Sequence, residues 1–499
     1  MSKFAKINVN DKIRKQNNFW NHIHFHPTDA IEDDWGREIL DKVAEDRAAI
    51  SVRMYTMLED IVSMDENGNF KYDFELNDLR IEYMLSRGFE IVLCYNFTPP
   101  CIATDAEEFN AVNKRKTRYK GKMINVSQPK DYKLWEEICY QYTKHVIERF
   151  GEEEVSKWYL QCYNEPDTDS FFMKNEKDLN VRVGEYCKLY EGFEKGLLKA
   201  SKNLKLGGPV LAHNVTFLDI FLKFVKEKNI RLDFVSFHAY GTQIGQINSG
   251  SRPICHSNAD EKILDIIGTC KKNGFDNVPL VIDEWGASMH GYLNLEDCPK
   301  CIFRENEIYA AFFAKMITHY IDMALPIERI MICLSGQHEL ETEFAGCRTL
   351  FTMNRIKKPI YNAHVLARNL YENILSLETE KEENISILPT ADDNGNIAVM
   401  LSYSSHNFDE DLKDEELKLS FEGLEGEYSA NLYAIDRDRA NGYGTYLKLG
   451  APEKISDEQM KIIKEGAELK KEDLGTVTAQ NPLTLTLTNN CCYFVTLSK

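Results

Sequence analysis

Between residues 18 and 336 the chain alternates, eight times over, a short β-branched or aromatic run with a longer stretch of helical period. The short runs are NFWNHIHF (18–25), AISVRMYT (49–56), FEIVLCYN (89–96), KWYLQCYN (157–164), LKLGGPVLA (204–212), DFVSFHAY (233–240), VPLVIDEW (278–285) and RIMICLSG (329–336). Between them, segments such as DYKLWEEICYQYTKHVIERFG (131–151) and ENEIYAAFFAKMITHYIDMA (305–324) repeat apolar residues at three- and four-residue steps, the spacing of crossover helices. Eight strand–helix units in this span predict an α/β fold, a (β/α)₈ barrel over residues 18–374, rather than an open doubly wound sheet. No Gly-x-Gly-x-x-Gly follows the first strand, which removes a dinucleotide-binding reading.

Beyond Lys358-Pro359 the period changes to two. NISILPTA, NIAVMLSYSS, LKLSFEG, YSANLYAID, LTLTLT and YFVTLS alternate as half-buried antiparallel strands do, and they predict an accessory β-sandwich over 375–499. A helical insert is expected around SDEQMKIIKEGAEL (456–469). In the leading segment, residues 1–17, KFAKINVN reads as an edge strand of that sandwich.

Bulk properties narrow the partners. A chain of 499 residues exceeds one ordinary core, and no apolar run approaches the roughly 20 residues that span a bilayer. The N-terminus lacks the apolar stretch of a secretory signal, so a cytoplasmic protein is expected. Thirteen cysteines without framework spacing fit reduced thiols rather than disulfides. A formal net charge of −19 repels nucleic-acid phosphates and anionic lipid, so the expected partner is a small neutral ligand, with neither nucleic acid nor membrane.

In such barrels the active site gathers at the C-terminal ends of the strands. Glu165 closes the fourth strand in YNEP and Glu284 closes the seventh in VIDEWGAS. Strands four and seven lie nearly opposite in a closed barrel, so the two carboxyls face each other across the mouth. That arrangement suits glycoside hydrolysis, where one carboxyl protonates the departing oxygen and the other attacks the anomeric carbon or activates water. The separation decides which, about 5–5.5 Å for retention and more for inversion. Asn164, beside the acid, offers an amide to a sugar hydroxyl. His238 and Tyr240 end the sixth strand, where imidazole and phenol can bond Glu284 and tune its proton affinity. Arg53 ends the second strand, where a guanidinium can keep Glu284 ionised through a charge-assisted bond.

His22, His24 and His26 alternate onto one strand face. Their spacing of about 6–7 Å is too wide for adjacent imidazoles to share a zinc, so no metal is expected, and His24 or His26 lining the pocket is the better reading. Cys298-x2-Cys301 lacks a second pair and makes a weak zinc motif. Phe97, Trp285 and Tyr292 lie near strand ends, where rings can stack on sugars or simply pack.

With these motifs in hand, the chain resembles glycoside hydrolase family 39, a clan A family that includes β-xylosidases and, more distantly, α-L-iduronidases. Two long stretches carry the likeness: HVIERFGEEEVSKWYLQCYNEPD (145–167) and ANGYGTYLKLGAPEKISDEQMKIIKEGAEL (440–469). The resemblance implies a retaining, exo-acting enzyme without a cofactor, with Glu165 as general acid/base and Glu284 as nucleophile. It also implies that Phe97, Asn164, His238 and Tyr240 hold the sugar and that Arg53 is the family's second-strand arginine. A homo-oligomer is a family-level expectation. Two departures bear on specificity: Tyr55 stands where the β-xylosidases place a substrate-contacting histidine, and LSGQHELE (334–341) replaces an aromatic-rich stretch. A β-xyloside is the default substrate. An arabinoside, galactoside or uronic-acid glycoside, the last needing a cation such as Arg348 or Lys357, is the alternative, as is a sugar-binding relic without turnover.

Overall fold

The structure is a computed structural model that describes residues 3–25, 34–111, 123–291, 293–334, 342–380 and 382–499. Strand β1 (Lys3–Lys15) precedes the barrel. The eight barrel strands are β2 (His22–Phe25), β3 (Ser51–Met57), β4 (Glu90–Asn96), β5 (Tyr159–Cys162), β6 (Lys205–Leu211), β7 (Phe234–Thr242), β8 (Leu280–Ser288) and β9 (Ile327–Leu334). All pair parallel and close in the order β2-β3-β4-β5-β6-β7-β8-β9, with β9 back against β2. Strands such as β3 and β8 are buried along their whole length, on both faces, which is why they read as near-continuous apolar runs.

Each strand leads to a helix: α1 (Asp34–Glu45), α2 (Glu75–Ser86), α3 (Tyr132–Phe150), α4 (Leu179–Ala200), α5 (Val215–Lys228), α6 (Asp260–Asn273), α7 (Glu307–Asp322) and α8 (Pro359–Ala367). Several begin where short polar side chains cap the first turn: Asp131, Asp178, Asn214 and Asn306 accept from free backbone N–H groups of α3, α4, α5 and α7. Gly274 ends α6 with φ +80°, a left-handed conformation that costs glycine little.

Inside the barrel, Val92, Tyr159, Phe234, Val281 and Met331 form their own apolar cluster toward the strand beginnings. Side chains alternate along a strand, so two residues further on, the same inward face carries Gln161 on β5 and Asp283 on β8. The floor is apolar and the layer above it is polar. Phe237 pairs with Ile282 but His238 with Glu284, so β8 holds one extra residue at this point. That bulge lets consecutive Asp283 and Glu284 both turn inward, which strict alternation forbids.

The second region is one continuous nine-stranded sheet. Its strands are β10 (Asn373–Thr379), β11 (Ile385–Ala391), β12 (Ile397–Tyr403), β13 (Glu415–Glu422), β14 (Tyr428–Ile435), β15 (Lys471–Val477), β16 (Leu483–Leu487) and β17 (Cys491–Ser498), with β1 as the ninth. The order is β15-β14-β17-β12-β11-β10-β1-β13-β16. The opening strand therefore does not lie at an edge: β1 runs antiparallel to β10, Ile7 opposite Leu377, and parallel to β13, Ile7 opposite Phe421. Alternation could not reveal this, because an edge strand and an interior strand bury one face alike. Residues from both halves of the sheet, among them Ile7, Val399, Leu417, Leu485 and Val495, share one core.

A helical insert, α9 (Gly442–Lys448) and α10 (Asp457–Gly466), returns to the barrel. Asn362 of α8 donates to the carbonyls of Ala440 and Ala467, and Asn441 donates to Glu307 of α7. Among the described residues the twelve cysteines with placed side chains are all free, and no helix is long and apolar enough to cross a membrane.

Candidate active site

Glu284 sits at the bulge of β8, buried, with both oxygens engaged. Oε1 accepts from Arg53 Nη1 at 3.2 Å and from the Tyr55 hydroxyl at 3.2 Å, and Oε2 accepts from the Tyr240 hydroxyl at 2.7 Å. The Nε2 atoms of His238 and His24 stand 3.6 and 3.7 Å from Oε1. Burial by itself would raise the proton affinity of this carboxyl. The charge of His238, the N–H that His24 turns toward Oε1, the charge of Arg53 and the Tyr240 hydroxyl outweigh it and hold Glu284 well below the usual carboxylate range.

Glu165 meets it from the other side of the mouth. Its backbone is held in the left-handed region (φ +47°), as is Tyr163 (φ +66°), a conformation costing on the order of 1–3 kcal/mol for a residue with a side chain. Two anchors hold it there. The Glu165 N–H donates to Val210 of β6, and Asp167 accepts the backbone N–H groups of Ala212, His213 and Asn214 at 2.8–2.9 Å, tying the neighbouring loop to the same turn. His238 Nδ1 lies 2.8 Å from Glu165 Oε1. Burial pushes the Glu165 carboxyl up; the bond to His238 opposes this, and the negative charges of Glu284 and Asp167 reinforce it. An oxygen of Glu165, a ring nitrogen of His238 and an oxygen of Glu284 all lie within 4.8 Å of one another. The two carboxyls are thus close neighbours with opposed proton affinities, the condition that separates an acid from a nucleophile.

Arg53 is the hub. Fully buried, it donates through Nε to Gln161 (2.8 Å) and through Nη2 to Asn164 (2.9 Å), while Nη1 serves both His24 Nδ1 (3.2 Å) and Glu284. Asp283 Oδ2 lies 3.4 Å from Arg53 Nε and accepts from Gln161 Nε2 at 2.7 Å. Gln161 and Asp283 were missed from the sequence: alternation back from Glu165 along the fourth strand already turned Gln161 inward, whereas Asp283 shares the inward face with Glu284 only because of the bulge in β8. His238 was expected to bond the nucleophile; its short bond goes to Glu165 instead, because the imidazole edge carrying Nδ1 faces β5.

The cluster of Glu165, His238 and Glu284 is the group among the described residues whose donors come near enough to share a metal ion. It suits one poorly. Glu284 already accepts from a guanidinium and two hydroxyls, and a cation there would stand against Arg53.

Other expected contacts moved. Trp285 does not face the mouth: it alternates outward, stacks on Phe312 at 5.0 Å and donates to the Tyr320 hydroxyl, so it joins the barrel to α7. Phe97 is fully buried, stacked on Phe171 and edge-on to Tyr55 and Tyr163, and so backs the Tyr55 ring. Lys357 is drawn to Asp46 and Glu468, whereas Arg348 lies with its guanidinium 4.3 Å over the Tyr240 ring. His26, Tyr292 and nearly all of LSGQHELE lie outside the described residues. A cavity of about 830 Å³ between the loops after β8 and β9 and the helical insert holds neither glutamate, and its aromatic residues Phe344, Tyr443 and Tyr446 pack on one another.

Two strand-end glutamates of opposite proton affinity, meeting at the C-terminal mouth of a parallel barrel, define the class: barrel enzymes that cleave glycosidic bonds. The model of glycosyl hydrolases family 39 matches residues 4–481, and the chain belongs to that family; it is a glycosidase. A β-xylosidase of Caldicellulosiruptor saccharolyticus is 26% identical over 486 residues, 94% of this chain and 93% of the relative. Mouse α-L-iduronidase is 28% identical over 122 residues, 21% of this chain and 18% of the relative. The crystal structure of a monomeric β-xylosidase from Caulobacter crescentus CB15 superimposes with a TM-score of 0.81 at 17% identity, covering 100% of this chain and 99% of the other, a likeness of fold.

Proposed function

We propose that the protein is an exo-acting retaining glycosidase that removes a terminal sugar, a β-xylosyl unit by default, from short oligosaccharides or glycosides by double displacement. The observation that carries this reading is the carboxyl pair: an oxygen of Glu165 and one of Glu284 come within 4.8 Å, an approach that favours the short separation of a retaining pair over the wider gap of an inverting one. Glu165, with its raised proton affinity, gives its proton to the departing oxygen. Glu284, kept ionised by Arg53, Tyr55 and Tyr240, attacks the anomeric carbon. Water then enters, loses its proton to Glu165 and releases the sugar from Glu284. The xyloside rests on the β-xylosidase relatives that match nearly end to end.

A uronic-acid glycoside is the second reading. Arg348, stacked on the tyrosine that bonds Glu284, is a cation one ring away from the reacting carboxyl, and the α-L-iduronidases are relatives over a quarter of the chain or less.

The test is to incubate purified protein with nitrophenyl β-xyloside, α-L-arabinoside, β-galactoside and an α-L-iduronide, following the first-formed anomer by ¹H NMR. Hydrolysis of the β-xyloside to β-xylose is expected. Release of α-xylose first would overturn retention, turnover of the iduronide alone would favour the second reading, and sugar binding without any turnover would mark a relic.

A further inference from the structure

The ring of His238 has a carboxylate at both ends. Nδ1 is 2.8 Å from Glu165 Oε1, and Nε2 is 3.6 Å from both Asp283 Oδ1 and Glu284 Oε1. The imidazole is fully buried, so water cannot supply the missing half of either contact. A neutral imidazole has one N–H and one lone pair, and it can accept at Nδ1 from Glu165 while that carboxyl holds its proton. Once Glu165 is ionised, only the imidazolium presents N–H both to Glu165 and to the oxygens facing Nε2.

The charges of the reaction point the same way. Resting on the double displacement proposed above, glycosylation forms the bond from Glu284 to the anomeric carbon, breaks the bond to the leaving group and moves the proton of Glu165 to the departing oxygen. One negative charge thereby leaves Glu284 and appears on Glu165. His24 does not balance it, because its Nδ1 accepts from Arg53, which can only donate, and this leaves His24 neutral. Tyr55 and Tyr240 are uncharged donors. Among the described groups that face the His238 ring or Glu284, Arg53 and a protonated His238 as cations balance Asp283 and Glu284 as anions in the free enzyme, while the charge of Asp167 is met separately by three backbone N–H groups. The balance persists in the glycosyl-enzyme, where Glu165 has replaced Glu284 as the second anion. A neutral His238 would leave an uncompensated buried negative charge in both states, which low polarity makes costly.

We propose that His238 is a positioning residue that stays protonated through both half-reactions, a fixed counter-ion shared by the acid/base and the nucleophile and supported from beneath by Asp283. It gives up no proton. Its charge stands between the two carboxyls, so the migrating negative charge is met at either end without movement of the ring.

The experiment uses full-length protein labelled with ¹⁵N-histidine. In two-dimensional ¹H–¹⁵N spectra the resonance pair of His238 is assigned by its disappearance in His238→Gln. Both nitrogens are expected to show imidazolium shifts in the free enzyme at pH 7 and above the range where an ordinary histidine has lost its charge. A neutral-tautomer pattern at pH 7 would overturn the proposal. Should His238→Gln not fold, Asp283→Asn, which removes one of the two carboxylates facing Nε2, assigns the same pair by shifting it. Kinetics supply a second readout. Glutamine keeps an N–H toward Glu165 without the charge, so His238→Gln should lower kcat on the order of 10- to 100-fold and move the alkaline limb of kcat/KM to higher pH. An unmoved limb would count against a charged His238. The spectra need no turnover, so a chain inactive on every glycoside would sink the reaction proposed above while leaving the protonation of His238 to be decided separately.

Discussion

At the scale of single residues, the site works by giving two chemically identical side chains different surroundings. Glu284 accepts from one guanidinium and two phenols, whereas Glu165 has one short bond, to His238, and two negative neighbours. Removing the proposed nucleophile without blocking the pocket tests these roles. Glu284→Gly should lose nearly all activity, and added azide should restore cleavage of an activated aryl glycoside by attacking from the vacated side, giving a glycosyl azide of inverted configuration by NMR. A glycosyl azide of retained configuration would exchange the two assignments. The same opposition shapes the pH dependence. On the acid side, kcat/KM should rise as Glu284 ionises, and since its affinity is lowered this limb lies below the usual carboxylate range. On the alkaline side it should fall as Glu165 loses its proton, and since its affinity is raised that limb lies above the usual range. A rate profile flat across both limbs would show that these carboxyls do not govern the rate.

At the scale of elements, loops at the mouth are fixed from below by buried polar pairs. Glu305, just before α7, and Lys358, just before α8, are almost fully buried and meet at 2.8 Å. Glu305 also accepts from the Gly346 N–H, and Lys358 also donates to the Cys347 carbonyl. Lys358→Met keeps much of the side-chain volume but leaves Glu305 as an uncompensated buried charge. It should cost about 3–5 kcal/mol in urea unfolding, the usual penalty for removing one partner of a buried pair. A change below about 1 kcal/mol would mean that Glu305 accepts a proton instead, at little cost. The element scale also explains what sequence reading missed. Trp285 follows Glu284 directly and looked equally placed to meet a sugar, but the bulge that turns Asp283 and Glu284 inward sends the next side chain outward against α7.

For the whole molecule, β1 is the joint. It lies between β10 and β13, so the first residues of the chain connect the two halves of a sheet built mostly from the last. Deleting residues 1–15 would expose the hydrogen-bonding edges of both neighbours and uncover Leu375 and Leu419, which share a core with Ala5 and Ile7. The truncated protein should aggregate or unfold at markedly lower temperature, measured by light scattering during a thermal ramp. A melting temperature unchanged from the full chain would show that β1 is dispensable. The ties from Asn362 and Asn441 to the helical insert predict that this destabilisation reaches the barrel.

Local periodicity was enough to place eight strands and their helices, because a strand covered on both faces and a helix burying one stripe each leave their own spacing in the chain. It also placed Glu165, Glu284 and Tyr240, since strand ends in a parallel barrel converge wherever the loops wander; Arg53, expected at the end of its strand, instead lies third of the seven residues of β3. Three things belonged to the tertiary structure alone. The bulge that lets Asp283 and Glu284 turn inward together depends on pairing between β7 and β8. The interior position of β1 depends on strands hundreds of residues away. The partner of His238 depends on which edge of one ring faces β5. Each is a relation between surfaces distant along the chain, and periodicity, which records only what a segment buries, does not record what it is buried against.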